Sequence, residues 1–343
     1  MSSGGSGSLA RYIVVRVLLM IPMLLVLLTF TFLLLRVAPG DPVSASVGGK
    51  LDPAILAQKQ AALGLDRPLY VQYFEYLGQV LRGNFGTTIS DNQPVVDVIR
   101  DKFGTTLMLT LGAFVIALAV GLPLGRLSGR RRDSSADAGI RVFGIVSYAA
   151  PLFWVGVLLT VFVSTHIPSW PTFGVASAQT TFEVPSHTHI LLVDAIYAWD
   201  WPAVFDILQH MVLPCVTLGL LLVGVIIRLV RVNVIQTLKD DYVEAARARG
   251  IPERQVVRRH AFRNALVPVI TVIGLLFAIS LGGAILTETT FNLPGVGSAL
   301  FNYLNARDYT AVQGLVTFFG VVVVVVSLLV DILNALVDPR VRY

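Results

Sequence analysis

Six long uncharged apolar runs are the feature that most constrains the fold of this chain. The first, residues 17–35, has 19 residues without a charge, about 28 Å as an α-helix and close to the roughly 30 Å hydrocarbon core of a bilayer. The chain is 55% hydrophobic and 14% charged, which excludes a soluble globular protein. We therefore predict an all-α membrane protein with six transmembrane helices, at about residues 17–35, 105–124, 142–163, 212–227, 266–286 and 315–330.

The remaining sequence divides the chain into four regions. Residues 1–8 are rich in Gly and Ser and are predicted to be a flexible tail or linker. Residues 9–36 contain the first helix; no small-x-small cleavage pattern follows its apolar run, so we expect a retained span. The polar segment 37–104 has seven acidic and six basic residues and is predicted to be a small helical extracytoplasmic subdomain. Residues 105–343 form the predicted core, with a basic loop at about 228–265.

Lys and Arg are distributed very unevenly among the predicted loops. The connections between helices 2 and 3 and between helices 4 and 5 contain fourteen of them. The connections between helices 3 and 4 and between helices 5 and 6 contain only Arg307. Because basic loops are retained on the cytoplasmic side, we expect both termini to be cytoplasmic. The net charge of +5 is then a topology signal, and nucleic-acid binding is not indicated.

The sequence offers little that could carry catalysis. The nearest match to a phosphate-binding loop, residues 48–51, lacks the first glycine and the Ser or Thr that would hold magnesium, so an ATPase would have to be another chain. His187 and His189 form a weak candidate metal site. Glu288 and Asp331 lie at predicted span ends, where we expect them to be solvated rather than to relay protons. We predict a chain that is not an enzyme and has no cofactor or metal of its own.

Four prolines and one glycine within or beside the apolar runs mark candidate helix bends. They are Pro123, Pro151, Pro214, Pro268 and Gly274. Neighbouring helices can satisfy the backbone groups that a proline leaves unpaired, so a bend at any one of these positions is not obligatory.

The most informative segment is residues 240–253, in the larger basic loop. Acidic residues open it and basic residues follow, which suits the two ends of a short helix, and Gly250 is placed to end that helix in the left-handed conformation. Pro252 then favours the start of a second helix. Another protein could hold the first helix in a groove; a connector lying on lipid headgroups is the alternative. The candidate docking residues are Asp241, Tyr242, Glu244, Ala245, Ala246, Arg247, Arg249 and Gly250.

Part of this segment resembles a known motif. Glu244-Ala245-Ala246 followed by Gly250 is similar to the EAA motif of the membrane subunits of ABC importers, whose short coupling helix docks into a cleft of a separate ATPase subunit. The general family pattern continues with I-x-L-P, where this chain has the run 260–263, His-Ala-Phe-Arg. That departure is typical of the peptide-importer branch, in which a histidine-apolar-arginine-asparagine run leads into the fifth span.

Other stretches extend the resemblance over nearly the whole chain from about residue 9. They are similar to the first membrane subunit of the dipeptide and oligopeptide permease family, and include residues 39–42, 63–68, 151–156, 282–284, 291–292, 294–297, 307–309, 312–314 and 338–343. The resemblance implies an ABC importer permease fold with six transmembrane helices. It also implies an extracytoplasmic segment between helices 1 and 2 and a cytoplasmic coupling helix between helices 4 and 5.

The function that this resemblance implies is ATP-driven import of di- or oligopeptides across a bacterial plasma membrane. This chain would form half of the pore. It would pair with a second permease subunit, two ATP-binding subunits that carry ATP and Mg²⁺, and an extracytoplasmic substrate-binding protein. Nickel or glutathione is the alternative cargo within the same family. The residues alone leave open a secondary carrier or channel that works without ATP, and a membrane scaffold that binds cytoplasmic partners.

Overall fold

The computed structural model describes residues 5–37 and 66–337, together with positions 54, 55, 58, 61 and 64. Regular structure in these residues is helical apart from an isolated antiparallel bridge between Thr87 and Pro94. Residues 38–53 of the predicted outer segment and the family-like stretches 39–42 and 338–343 lie outside the described residues. The principal helices are α1 (Gly5–Val37), α2 (Leu69–Leu81), α3 (Val95–Arg130), α4 (Ser135–Ala149), α5 (Leu152–His166), α6 (Ala178–Glu183), α7 (Leu191–Tyr197), α8 (Trp201–Thr237), α9 (Asp241–Ala248), α10 (Val267–Thr290), α11 (Val296–Asn305) and α12 (Tyr309–Val337).

Five of these helices, α1, α3, α8, α10 and α12, are long and apolar enough to cross a membrane. The pair α4 and α5 passes the same test together, so the described chain has six spans if that pair counts as one. The span predicted at 142–163 is divided into two helices, since α4 and α5 meet at 104°, and the bend lies at the candidate position Pro151. Pro151 explains the bend: it donates no backbone hydrogen bond, and it favours the extended conformation of Ala150, whose ψ is 134°.

The other candidate bends do not interrupt their helices. Pro123 lies inside α3 and Pro214 inside α8. Pro268 is in the first turn of α10, where a helix has no intrahelical use for the missing N–H. Gly274 permits close packing instead, because a Cβ at this position would come within 3.0 Å of Val330 in α12.

Helices α3 and α8 are much longer than the apolar runs that predicted them. α3 begins at Val95 and α8 at Trp201, ahead of the expected starts at 105 and 212. Charged residues such as Arg100 and Asp206 limited the uncharged runs, but a helix accommodates them where they face solvent or a polar partner. Asp206, for example, accepts a hydrogen bond from the backbone N–H of Ser177 at 2.8 Å.

The centre of the fold is the contact between α3 and α8. Three glycines of α3, spaced four residues apart, receive three fully buried branched side chains of α8. The pairs are Gly121 with Ile226, Gly125 with Val230 and Gly129 with Val234. A Cβ at Gly125 would lie 2.7 Å from the Val230 Cβ, too close for any real contact. The absent side chains therefore let the two helices approach closely.

We expect Gly125→Ala to destabilise the protein, although alanine is the better helix former by about 1 kcal/mol. The added methyl group would press on Val230 and on the Ile227 carbonyl oxygen, 3.0 Å away, and overpacking costs about 1–3 kcal/mol. Gly139→Ala in α4 is the matched control, since nothing lies within 4 Å of a Cβ there. The midpoint of thermal unfolding in detergent should fall for Gly125→Ala only, and equal midpoints would contradict this packing.

Glu288 is fully buried, and the expectation that it is solvated is wrong. It lies in the last turn of α10, where the Thr106 hydroxyl of α3 donates to Oε1 at 2.6 Å and the Ser298 N–H of α11 donates to Oε2 at 2.7 Å. Thr106 Oγ1 also accepts from the N–H of Val296 at 2.9 Å. The first N–H groups of a helix have no partner within it and favour an acidic side chain. Glu288 therefore joins the end of α10 and the start of α11 to the side of α3.

Asp331 differs from Glu288 in that it keeps contact with solvent. Its side chain is 28% exposed and its Oδ2 lies 3.0 Å from Arg16 Nη1. The expectation of a solvated carboxylate is thus only partly right, because the ion pair connects α12 to α1.

A fully buried aspartate attaches the segment before α3 to the core. Asp308 Oδ2 accepts from the N–H groups of Ile89 and Ser90 at 2.6 and 2.9 Å. Its Oδ1 accepts from the Ala311 N–H in the first turn of α12 at 3.0 Å. This part of the predicted outer segment therefore packs on the membrane helices.

Candidate functional site

Residues 240–253 are predicted to form a short helix, a helix stop at Gly250 and the start of a second helix. The structure has this arrangement. α9 covers Asp241–Ala248, and Gly250 follows with a φ of +74°. The Gly250 N–H donates to the Arg247 carbonyl at 2.9 Å and the Ile251 N–H to the Ala246 carbonyl at 3.3 Å, the two bonds of a glycine-terminated helix end. Helix resumes at Glu253, with Pro252 at the N-cap. Residues 241–252 are called the elbow below.

One face of the elbow packs against this chain itself. Val243 and Ala246 are buried against Val256 and Ala261, which lie in the turn of π-helix that follows, Val256–Ala261. Ala246 is therefore not available on the outer surface of this chain, contrary to its place among the candidate docking residues. Its small side chain instead lets α9 lie close to the helix that leads into α10.

The other face of the elbow is exposed. It carries five of the candidate docking residues: Asp241, Tyr242, Glu244, Ala245 and Arg249. The Tyr242 hydroxyl accepts a hydrogen bond from Asn264 Nδ2 at 2.9 Å, which orients the ring. This face presents carboxylates near the start of α9 and a guanidinium at its end, so it is polar at both ends and has the small Ala245 between them.

Arg247 braces the bend of the elbow. Its Nε and Nη2 donate to the two carboxylate oxygens of Glu253 at 3.0 and 2.9 Å. This bidentate hydrogen bonding lowers the pKa of Glu253 from its ordinary value and raises that of Arg247. Both side chains are nearly half exposed, so the pair contributes about 0.2–1 kcal/mol. Arg247 is thus bonded within the elbow, although its side chain is also exposed.

The elbow is connected to the spans on both sides. Leu238, directly after α8, packs beneath the elbow beside Val243. On the other side, the Arg126 guanidinium of α3 lies 5.3 Å from the centre of the Phe262 ring, a favourable cation–π distance. The short helix Phe262–Ala265 then leads into α10. A displacement of the elbow would therefore act on α8 and α10 together.

A buried ion pair next to this region was not found from the sequence. Asp137 of α4 is fully buried and accepts from Nε and Nη2 of Arg231 in α8, both at 2.8 Å. Ser128 of α3 also donates to this carboxylate, as does the Asp133 N–H at 3.0 Å. In the sequence, Arg231 is counted only among the basic loop residues that indicate the orientation in the membrane. The available signal was the Ser134-x-x-Asp137 pattern, which is typical of a capped helix start.

The histidines proposed as a weak metal site are not gathered into a cluster. In the described part of the chain no group of three or more His, Cys, Asp or Glu side chains has the geometry to hold a metal ion. His189 Nδ1 lies 3.5 Å from Asp101 Oδ1, and the His187 ring packs edge-on to Tyr197. These contacts tie the loop before α7 to α3.

The sequence of this chain matches a known family of transporters, and this match identifies the kind of protein. The family described as "Binding-protein-dependent transport system inner membrane component" matches residues 121–343. A second family, which covers the N-terminal part of such membrane components, matches residues 9–110. The chain belongs to this family of transporter membrane subunits.

This permease is also similar to named relatives over nearly its whole length. It is 35% identical to the di/tripeptide transport system permease protein DppB of Pseudomonas aeruginosa UCBPP-PA14, over 97% of this chain and 98% of the relative. It is 37% identical to the dipeptide transport system permease protein DppB of Escherichia coli K12, over 97% and 99%. It is 34% identical to the oligopeptide transport system permease protein AppB of Bacillus subtilis 168, over 98% and 100%.

One solved structure gives independent support for the fold. The MetNI methionine ABC transporter in inward-facing conformations matches with a TM-score of 0.51, over 68% of this permease and 93% of that chain. The sequence identity is 15%, so this likeness concerns the fold alone.

We expect Asp137→Asn to destabilise the permease by about 3–5 kcal/mol, because it leaves the mostly buried Arg231 guanidinium without its counter-charge. Adding Arg231→Met should restore part of the loss, since the unpaired charge is then removed. Arg141→Met is the control: its half-exposed guanidinium lies 3.7 Å from the same carboxylate, and such a pair contributes about 1 kcal/mol at most. Thermal unfolding of the four proteins tests the ion pair, which is refuted if Asp137→Asn is as mild as Arg141→Met.

Proposed function

We propose that this permease is one half of the translocation pore of an ATP-driven importer of di- or oligopeptides. The observation that carries the proposal is the exposed elbow, fixed between two membrane spans and presenting a polar face toward solvent. The peptide cargo is inferred from relatives that match nearly all of the chain and are named for dipeptide, tripeptide or oligopeptide transport.

The exposed face of the elbow is the proposed docking surface for a separate ATPase subunit. Asp241, Tyr242, Glu244, Ala245 and Arg249 are the proposed contacts. Ala246, Arg247 and Gly250 have a different part in this proposal: they hold the shape of the elbow through internal packing, the bond to Glu253 and the left-handed turn. ATP and Mg²⁺ would bind to the ATPase subunits and not to this chain.

The elbow is suited to transmit a movement of the ATPase to the spans. It packs on the helical connection to α10 through Val243 and on the end of α8 through Leu238. α8 is in turn tied to α4 by the buried pair of Asp137 and Arg231. When ATP closes the ATPase dimer, we propose that the elbow moves as a rigid lever and that α8 and α10 follow it.

The arrangement in the membrane follows from the charge of the loops. The fourteen Lys and Arg of the two basic connections support an orientation with the elbow and both termini in the cytoplasm. The bacterial relatives support the plasma membrane of a bacterium as the location. Residues 37–104 then form an extracytoplasmic segment and residues 105–343 the permease core. The proposed partners are a second permease subunit, two ATP-binding subunits and an extracytoplasmic substrate-binding protein.

We predict that Glu244→Lys uncouples transport without loss of the permease from the membrane. The side chain is exposed, so the reversal of charge affects the docking surface rather than the core. Uptake of a labelled dipeptide by cells that lack other peptide importers should fall about tenfold or more, equivalent to about 1.4 kcal/mol or more of docking free energy.

The matched control is Glu183→Lys, the same change of charge on the exposed end of α6. It should leave uptake unchanged, while immunoblots show equal amounts of both variants in the membrane. Normal uptake by Glu244→Lys would refute the docking assignment. Uptake by proteoliposomes that contain this chain alone would refute the ATP-driven importer as a whole.

A further inference from the structure

Helix α2 has three distinct faces. On a helix of 3.6 residues per turn, Tyr70, Phe74 and Leu81 lie within about 40° of one another, and their side chains are 67%, 68% and 87% exposed. Large apolar side chains rarely remain so exposed to water on one continuous strip.

The second face of α2 is polar, and the third packs on the membrane helices. Glu75, Gln79 and Arg82 lie within about 60° of one another beside the apolar strip and are exposed. Tyr73 and Tyr76, on the third face, both pack on the buried ring of Phe32 in α1, with ring centres 5.4 and 5.8 Å apart.

The hydrogen bonds of the third face give the position of α2 along the spans. The Tyr73 hydroxyl lies 2.6 Å from Thr29 Oγ1, four residues or about 6 Å from the end of the α1 span at Leu33. The Tyr76 hydroxyl lies 2.6 Å from Thr317 Oγ1, eight residues or about 12 Å from the start of the α12 span at Tyr309. α2 is therefore attached to the sides of both apolar helices, within about two turns of one end of each.

The helix on which α2 packs, α1, also has exposed apolar side chains. Few residues of the apolar span of α1 are buried, and Val26 and Phe30 are 70% and 64% exposed beside Thr29, the residue that Tyr73 contacts. A helix attached near the ends of two membrane spans can meet three surroundings: protein, water and lipid. The three faces of α2 match them in chemistry.

We propose that α2 is an interfacial helix whose Tyr70–Phe74–Leu81 strip inserts into the phospholipid leaflet at this end of the spans. Aromatic side chains are favoured at that level of a bilayer, and an amphipathic helix lies in the plane of the interface with its apolar face 5–10 Å deep, as an order of magnitude. The proposal concerns the lipid contact of this chain and does not depend on the cargo or on the ATPase.

Spin-label accessibility tests this arrangement in the assembled importer, reconstituted with cysteine-free partner subunits in phosphatidylcholine and phosphatidylglycerol nanodiscs. Cys215, the single cysteine, is first replaced by alanine. A nitroxide is then attached to Phe74→Cys, to Gln79→Cys on the polar face, to Phe30→Cys as the lipid reference and to Ser186→Cys as the water reference. Tyr70→Cys replaces Phe74→Cys if the latter does not assemble.

We expect the label at position 74 to be relaxed more by oxygen than by a nickel chelate, like the label at position 30. The label at position 79, about 140° around the same helix, should be relaxed more by the chelate, like that at position 186. Chelate preference at position 74 would overturn the proposal in favour of a water-exposed strip. Protection of position 74 from both reagents would also overturn it, because the strip would then be covered by a partner protein.

Discussion

The close packing of α3 against α8 is the contact on which the other helices depend. Lipid surrounds the spans, so there is little hydrophobic driving force between them, and association relies on close van der Waals contact. The fit of Val230 into the space at Gly125 provides that contact. α4, α7 and α10 all pack on α8, and α8 continues almost directly into the elbow. The helix at the centre of the core is thus also the helix that leaves it toward the solvent.

Charged groups fix the helices at both ends of this core, by different means. Near the elbow, Asp137 is paired with Arg231, so two opposite charges compensate each other in a buried setting. At the other end, Glu288 has no such cation among its hydrogen-bond partners and is held by the Thr106 hydroxyl and the Ser298 N–H. Removing either carboxylate would leave buried donors unsatisfied, which costs free energy even where no charge remains.

The sequence predicted features that depend on neighbouring residues and missed those that depend on distant ones. Uncharged length indicated the spans, and Gly250 correctly marked the stop of the elbow. The burial of Glu288 was missed because its partner Thr106 is 182 residues away. The inward position of Ala246 was missed because α9 has small residues on both faces. The docking contacts themselves stay a prediction, since they involve a protein other than this chain.

The carboxylate of Glu288 has a consequence for how this end of the molecule can rearrange. It is bonded at once to α3 and α11 while it belongs to α10. Moving α3 or α11 away would remove one of these two donors from a fully buried carboxyl group. An opening at this end that keeps both bonds therefore moves the end of α10, the start of α11 and the Thr106 turn of α3 as one unit, and it separates helices only along a border outside that unit.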